Sequence, residues 1–397
     1  MMMIWCCIVL TFFEALTGSV GAERLEFTPE GIFRILHLSD VHYRVNEESG
    51  ASAPPCRDVS GDPHSSYCTV ANTTDFITRL IEIENPQMVV HTGDIIDGDT
   101  HSAADGMNSL YGVAIKANLK WVATLGNHDD DSDLTRPEVM DYILSLDAEN
   151  NLSQNNPLGV DGDPTESYGN FHLEIFDPRD GETSNPAFRT YHLDSNTNNA
   201  SVNQEQVEWF IETAKEFSGT KVPAMLFTHV PMQEYSQAAL RPESGLCGKI
   251  REQVSSGTEN SGLFEALVAD GSVKATFVGH DHTNDYCGSV SGLQMCYEGS
   301  PGYQGYGHCN IRRDACYIRR ARVTTITNWG GAILSHKRLD NWPETEKIDS
   351  QILWAKDSET AAKFSSYDTC IRSGGTAENE GEYERLPQLS QSTSTKG

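Results

Sequence analysis

Five short apolar runs punctuate the chain, and each stops at residues that offer oxygen or nitrogen. Residues 33–39 run into Asp40-Val41-His42, 87–92 into Gly93-Asp94, and 121–125 into Gly126-Asn127-His128-Asp129. Residues 223–228 end at His229, and 273–278 at Gly279-His280-Asp281-His282. Short apolar runs with a β-branched share, bounded by glycine, read as buried strands. Ligands in α/β sheets gather beyond the carboxyl ends of strands, so one sheet edge would collect these polar residues. A lone His-x-His at a strand end reads equally as a surface or hydrogen-bonded loop pair. Five strand ends of the same character shift the reading toward a metal centre.

Between the runs the spacing predicts helices. Phe76, Ile77, Leu80, Ile81 and Ile83 give one apolar face, capped by Thr73 or Thr74 and ended by Pro86. Further helices are predicted over 102–117, from Thr135 and Pro137 to about 146, over 204–217, and around Phe264, Leu267 and Val268. Residues 168–176 and 188–193 alternate as antiparallel strands do, which suits the second sheet of a sandwich. Strands over 321–326 and 332–336 close the fold. Residues 46–68 and 150–167 read as polar loop, and 233–259 as a loop long enough to rim an active site. His37 and His91, inside their strands, read as core histidines or as supports behind the ligands. Tyr303, Tyr306 and His308 sit in a Gly- and Tyr-rich stretch, read as a packed turn or as an approach to substrate.

Composition adds compartment and excludes partners. The net charge of −28 over 397 residues argues against a nucleic-acid surface or an anionic membrane. Residues 1–22 carry an apolar core and a small-x-small site at Val20-Gly21-Ala22, the pattern of a secretory signal, with an uncleaved anchor as the alternative. No later run is long enough to span a bilayer. Cleavage would leave eight of the ten cysteines, an even number suited to an oxidising compartment. Proximity suggests the pairs Cys56–Cys68, Cys287–Cys296 and Cys309–Cys316, leaving Cys247 and Cys370 to each other. Sequons at Asn72, Asn151 and Asn199 agree with secretion. Residues 371–397 read as a disordered polar tail, and 23–370 as one domain.

The order Asp-x-His, Gly-Asp, Gly-Asn-His-Asp, a lone His after a strand, then Gly-His-x-His resembles the calcineurin-like metallophosphoesterase superfamily. Asn72-Thr73-Thr74-Asp75-Phe76, the acidic stretch after Gly126-Asn127-His128-Asp129, and Gly279 to Cys287 resemble its purple acid phosphatase 28/29-like branch. The resemblance implies a four-layer α/β/β/α sandwich of two mixed sheets. It implies one divalent cation (Fe, Mn or Zn) on Asp40, His42, Asp94 and His282, and a second on Asp94, Asn127, His229 and His280. A water activated between them would attack phosphorus, with His128 serving the leaving group and Asp129 holding the other nitrogen of that imidazole. Purple enzymes have a tyrosine three residues after the bridging aspartate, where Asp97 stands here, and a glycine where His42 stands. That departure points to colourless divalent ions or a redox-labile iron site. The implied activity is a secreted phosphomonoesterase acting on a small phosphorylated substrate. A phosphodiesterase for cyclic nucleotides or phospholipid head groups, and a non-catalytic metal-binding ectodomain, are the alternatives.

Overall fold

A computed structural model describes residues 24–45, 69–159, 166–181, 185–196, 201–241, 244–307, 309–310, 315–341 and 344–370. The signal-like segment, the tail, Asn199 and the proposed Cys56–Cys68 pair lie outside them. In chain order the elements are β1 (Leu25–Glu26), β2 (Phe33–Leu38), α1 (Val70–Glu84), β3 (Met88–Thr92), α2 (Ala103–Lys116), β4 (Lys120–Thr124), α3 (Arg136–Ser145), β5 (Phe171–Phe176) and β6 (Phe188–Leu193). Then follow α4 (Gln204–Glu216), β7 (Ala224–Thr228), α5 (Tyr235–Leu240), α6 (Leu263–Asp270), β8 (Val273–Val278), β9 (Cys287–Val290) and β10 (Leu293–Tyr297). The chain closes with β11 (Cys309–Asn310), β12 (Ala315–Cys316), β13 (Arg320–Thr327), β14 (Ala332–Asn341), β15 (Glu344–Ala355) and α7 (Ser358–Lys363).

The five apolar runs become β2, β3, β4, β7 and β8, divided between two sheets. One sheet has the order β15-β14-β13-β2-β3-β4, the other β1-β5-β6-β7-β8-β10-β9. Strands β2, β3 and β4 run parallel, as do β6, β7, β8 and β10, while hairpin-linked strands add antiparallel edges. Parallel strands covered on both faces must be apolar throughout, which is why these runs lack clean alternation.

Three apolar clusters make the layers. Phe33, Ile35, Met88, Val90 and Val122 of one sheet meet Phe171, Ile175, Met225, Phe227 and Phe277 of the other. Leu36, Val89 and Trp121 face outward against Phe76, Leu80, Leu110 and Ile143 of α1 to α3. Tyr191, Leu226 and Val278 pack on Val207, Phe210 and Leu267 of α4 and α6. The result is an α/β/β/α sandwich of two mixed sheets.

Several local expectations change. Helix α1 starts after Thr69, whose side chain caps Asn72 N–H, rather than at Thr73 or Thr74, which already lie inside it. The 233–259 loop contains α5, and the fold ends on the twelve-residue β15 paired along β14. Disulfides join Cys287 to Cys296, opposite each other on β9 and β10, and Cys247 to Cys370. The backbone sets Cys309 opposite Cys316, but their side chains lie outside the description. Asn151, one of the sequons, lies at the end of α3. Its amide nitrogen donates to Ile143 and Leu146 carbonyls at the end of α3, so a sugar there would strip that cap.

Candidate metal centre

Beyond β2, β3 and β8 the chain bends sharply. Asp40, His42, Asp94 and His280 all have left-handed backbone, with φ of 54°, 47°, 50° and 71°. Such conformations cost L-residues roughly 1–3 kcal/mol each and cluster at functional sites. The bends are held by neighbours: Asp40 N–H donates to Gly93 O, His42 N–H to Asp94 O, and Gly279 N–H to His229 O. The flanking glycines are required by contact. A Cβ at Gly279 would overlap Ser39 and the Asp40 carboxylate, and one at Gly126 would overlap Asp94.

These bends bring the strand ends into two overlapping sets of donors. Asp40, His42, Asp94 and His282 form one, and Asp94, His229 and His280 the other; within each set the donor atoms lie within 4.8 Å of one another. His42 Nε2 is 3.0 Å from His282 Nε2 and 3.6 Å from Asp94 Oδ2, which is itself 3.1 Å from His229 Nε2. The histidines are pre-aimed. His229 Nδ1 donates to Thr92 O at 2.8 Å and His282 Nδ1 to Tyr306 O at 3.0 Å, leaving both Nε2 atoms facing carboxylates.

Several atoms here match what a cation requires. Among the described residues, buried Asn127 Oδ1 has no hydrogen-bond partner and His229 Nε2 meets only carboxylates, Asp94 at 3.1 Å and Asp40 at 3.8 Å. Two imidazole Nε2 atoms meeting at 3.0 Å are explained by a shared cation better than by each other. The donors are all oxygen and imidazole nitrogen, which suits zinc, manganese or iron.

Electrostatics agree. Burial pushes Asp40 up to about 8, with Asp94 pushing the same way and His229 opposing. Burial also favours protonating Asp94, but His229, His42 and His128 outweigh it and hold this carboxyl well below the usual range. Burial lowers His42 and His280 to about 4, which keeps them neutral and able to ligate. For His229 burial disfavours the charge, yet Asp94 and Asp40 together raise it to about 10. The pocket thus demands positive charge at His229, from a proton or from a metal ion, and metal binding would compete with protons.

His128 stands at the mouth of this cluster, its side chain 47% exposed. Here the structure corrects the assignment of Asp129. That carboxylate points away from the imidazole and accepts the N–H groups of Asp94, Ile95 and Gly126 at 2.7–3.0 Å, tying the β3 and β4 ends together. Asp131 takes its place, with Oδ2 2.5 Å from His128 Nδ1. Burial would lower His128, but Asp94 and Asp131 raise it.

Two adjoining pockets share His42, Asp97 and His128. One, of about 270 Å³, is bounded also by Asp94, Ser255, His280, His282 and Tyr306. The other, of about 300 Å³, is lined by Gly98, Asp99 and Asp131. Asp97, the departure from the purple enzymes, lies 3.1 Å from Arg44 and 3.8 Å from His42 Nδ1. His37 is a support: its ring nitrogens meet Glu298 and Thr324, and Glu298 also accepts from Thr92. His91 is buried against Tyr111 and Trp121 in the core. Glu252 and Glu298 carry no motif signal, and Asp131 shows in the sequence only as one member of the acidic stretch after Asp129.

A family model described as calcineurin-like phosphoesterase matches residues 33–284, from the start of β2 through the last histidine pair. This chain belongs to the calcineurin-like phosphoesterase family. Among curated relatives, "Probable inactive purple acid phosphatase 14" of Arabidopsis thaliana is 33% identical over 373 residues, covering 87% of this chain and 89% of its own. "Probable inactive purple acid phosphatase 29" of the same plant is 33% identical, covering 84% and 88%. "Phosphatase DCR2" of Saccharomyces cerevisiae is 30% identical over 82% of this chain and 56% of its own. Among solved structures, a dimetal phosphatase from Danio rerio aligns with a TM-score of 0.46 at 15% identity, covering 80% of this chain and 99% of that one. The phosphoesterase is thus a hydrolase by family, built around the cluster at its strand ends.

Proposed function

We propose that this phosphoesterase is a metal-dependent phosphomonoesterase that works outside the cytoplasm on a small phosphorylated substrate. The observation carrying the reading is the pair of donor sets sharing Asp94, with His128 beside them at a pocket mouth. Asp40, His42, Asp94 and His282 would hold one cation, and Asp94, Asn127, His229 and His280 the other. Bound there, two cations would supply Lewis-acid activation of a phosphoryl oxygen and of the attacking water.

The protein's own groups do the rest. Asp94 Oδ1 accepts the backbone N–H of His128 at 2.8 Å, which fixes the imidazole's base relative to the cluster while Oδ2 faces His229 and His42. Asp131 accepts the Nδ1 proton of His128, so Nε2 is left to protonate the leaving oxygen. The Arabidopsis relatives are named probable inactive, and this chain carries each of the residues named above.

Export is supported by the apolar leader and by the Cys287–Cys296 and Cys247–Cys370 bridges, which persist in oxidising surroundings. Among the described residues no helix is long and apolar enough to cross a membrane. Specificity is tested by assaying p-nitrophenyl phosphate and bis(p-nitrophenyl) phosphate in parallel with the manganese-loaded chain. Faster monoester turnover is expected; a diester preference would assign the phosphodiesterase activity instead.

A further inference from the structure

We propose that Tyr306 is a positioning residue for one cation place only, the one bounded by Asp40, His42, Asp94 and His282, and that Glu252 of the rim loop sets Tyr306 in turn. The inference rests on the metal-dependent reading above and concerns how this chain holds His282.

Tyr306 engages His282 in three separate ways. Its ring stacks on the imidazole with centroids 3.7 Å apart and planes 14° from parallel. Its carbonyl accepts the Nδ1 proton at 3.0 Å, which selects the tautomer with a free Nε2. Its hydroxyl accepts the backbone N–H of His282 at 3.1 Å. Nε2 then lies 3.0 Å from His42 Nε2 and 3.4 Å from Asp40 Oδ1, at the heart of one donor set.

Tyr306 is itself fixed at both ends. The hydroxyl donates to Glu252 Oε2 at 2.8 Å, while Glu252 Oε1 accepts both N–H and Oγ1–H of Thr283, the residue after His282. At the backbone, buried Arg319 donates to the carbonyls of Tyr306 and Gly305. Glu252 is delivered by residues 247–252, which zip onto the ligand loop: Cys247 and Cys287 exchange backbone bonds, and Arg251 N–H reaches Asn284. The other donor set owes little to this clamp. His229 is oriented by Thr92, and the Tyr306 hydroxyl meets the His280 carbonyl at a long 3.5 Å.

The test is equilibrium dialysis of the full chain against Mn²⁺, counting ions per chain, with thermal melts in chelator alongside. The wild type should bind two equivalents. Y306F keeps the ring and carbonyl and removes the hydroxyl, so one equivalent should weaken about tenfold and the other stay unchanged. Y306A should weaken that same equivalent about a hundredfold. Y306F also guards against an alanine variant that fails to fold. Two equivalents of wild-type affinity in Y306F, or equal weakening of both, would overturn the role of Tyr306, as would a lowered melt with unchanged affinity. A wild type that binds no manganese would instead overturn the metal-dependent reading itself.

Discussion

A histidine that protonates a leaving group needs its far nitrogen held, and for His128 that falls to Asp131 rather than to its neighbour Asp129. Sequence offers no way to choose, because residues 129–131 are all aspartate and only the turn decides which one folds back. Asp129 goes to backbone amides, Asp130 to Arg136 and Asp131 to the imidazole. The ligands were easier to read, because each ends an apolar run. Asp131 helps raise His128, so its removal lowers that pKa. The acid form of His128 is then lost at lower pH as pH rises. A pH–rate profile of D131N should show its alkaline limb displaced toward acid, while H128A should lose roughly 10²–10⁴-fold in turnover. An unmoved limb in D131N would detach Asp131 from the proton transfer.

At the scale of elements, buried Asp285 joins the ligand loop to the far strands. It meets Lys337 of β14 at 2.8 Å, Arg320 of β13, and Arg251 of the rim. Removing it takes the carboxylate from buried Arg320 and leaves Lys337 with Asp349 alone, at 2.6 Å, so D285A should lose about 3 kcal/mol in chemical denaturation. Glu84, ending α1, meets β14 beside that lysine, through His336 and Arg338. Burial opposes its charge, but His336 and Arg338 outweigh burial and depress it from 4.5 to about 2. Burial lowers His336 itself, so that partner contributes a hydrogen bond and Arg338 the charge. Because the folded value is depressed, this stability is present above about 4.5 and is lost as pH falls toward 2. Acid unfolding of E84Q should therefore show a shallower pH dependence over that range than the wild type. Strand β15 escaped the pattern because an edge strand with two register shifts loses alternation, and its sequence is strongly polar.

For the whole molecule, a site that gathers two buried aspartates and four histidines from both sheets should couple metal to folding. Any ion that binds only the folded chain stabilises it by about 2.7 kcal/mol at a hundred times its Kd. Manganese should accordingly raise the melting temperature, and D94N, which strikes both donor sets, should abolish that rise. The five ligand-bearing strands were legible because parallel strands must be apolar on both faces and must end where ligands collect, but the four layers follow from the family resemblance, and the division of those strands between two sheets has no mark in the pattern. The supporting groups were not legible, since Glu252 and Glu298 act through contacts between segments far apart in the chain, and the Gly- and Tyr-rich stretch marks Tyr306 without showing that it holds His282. The most direct measurement is hydrolysis of p-nitrophenyl phosphate by the manganese-loaded chain before and after chelation. Turnover that disappears with the metal and returns on its replacement is predicted. A chain that binds two ions and hydrolyses neither monoester nor diester would contradict the account.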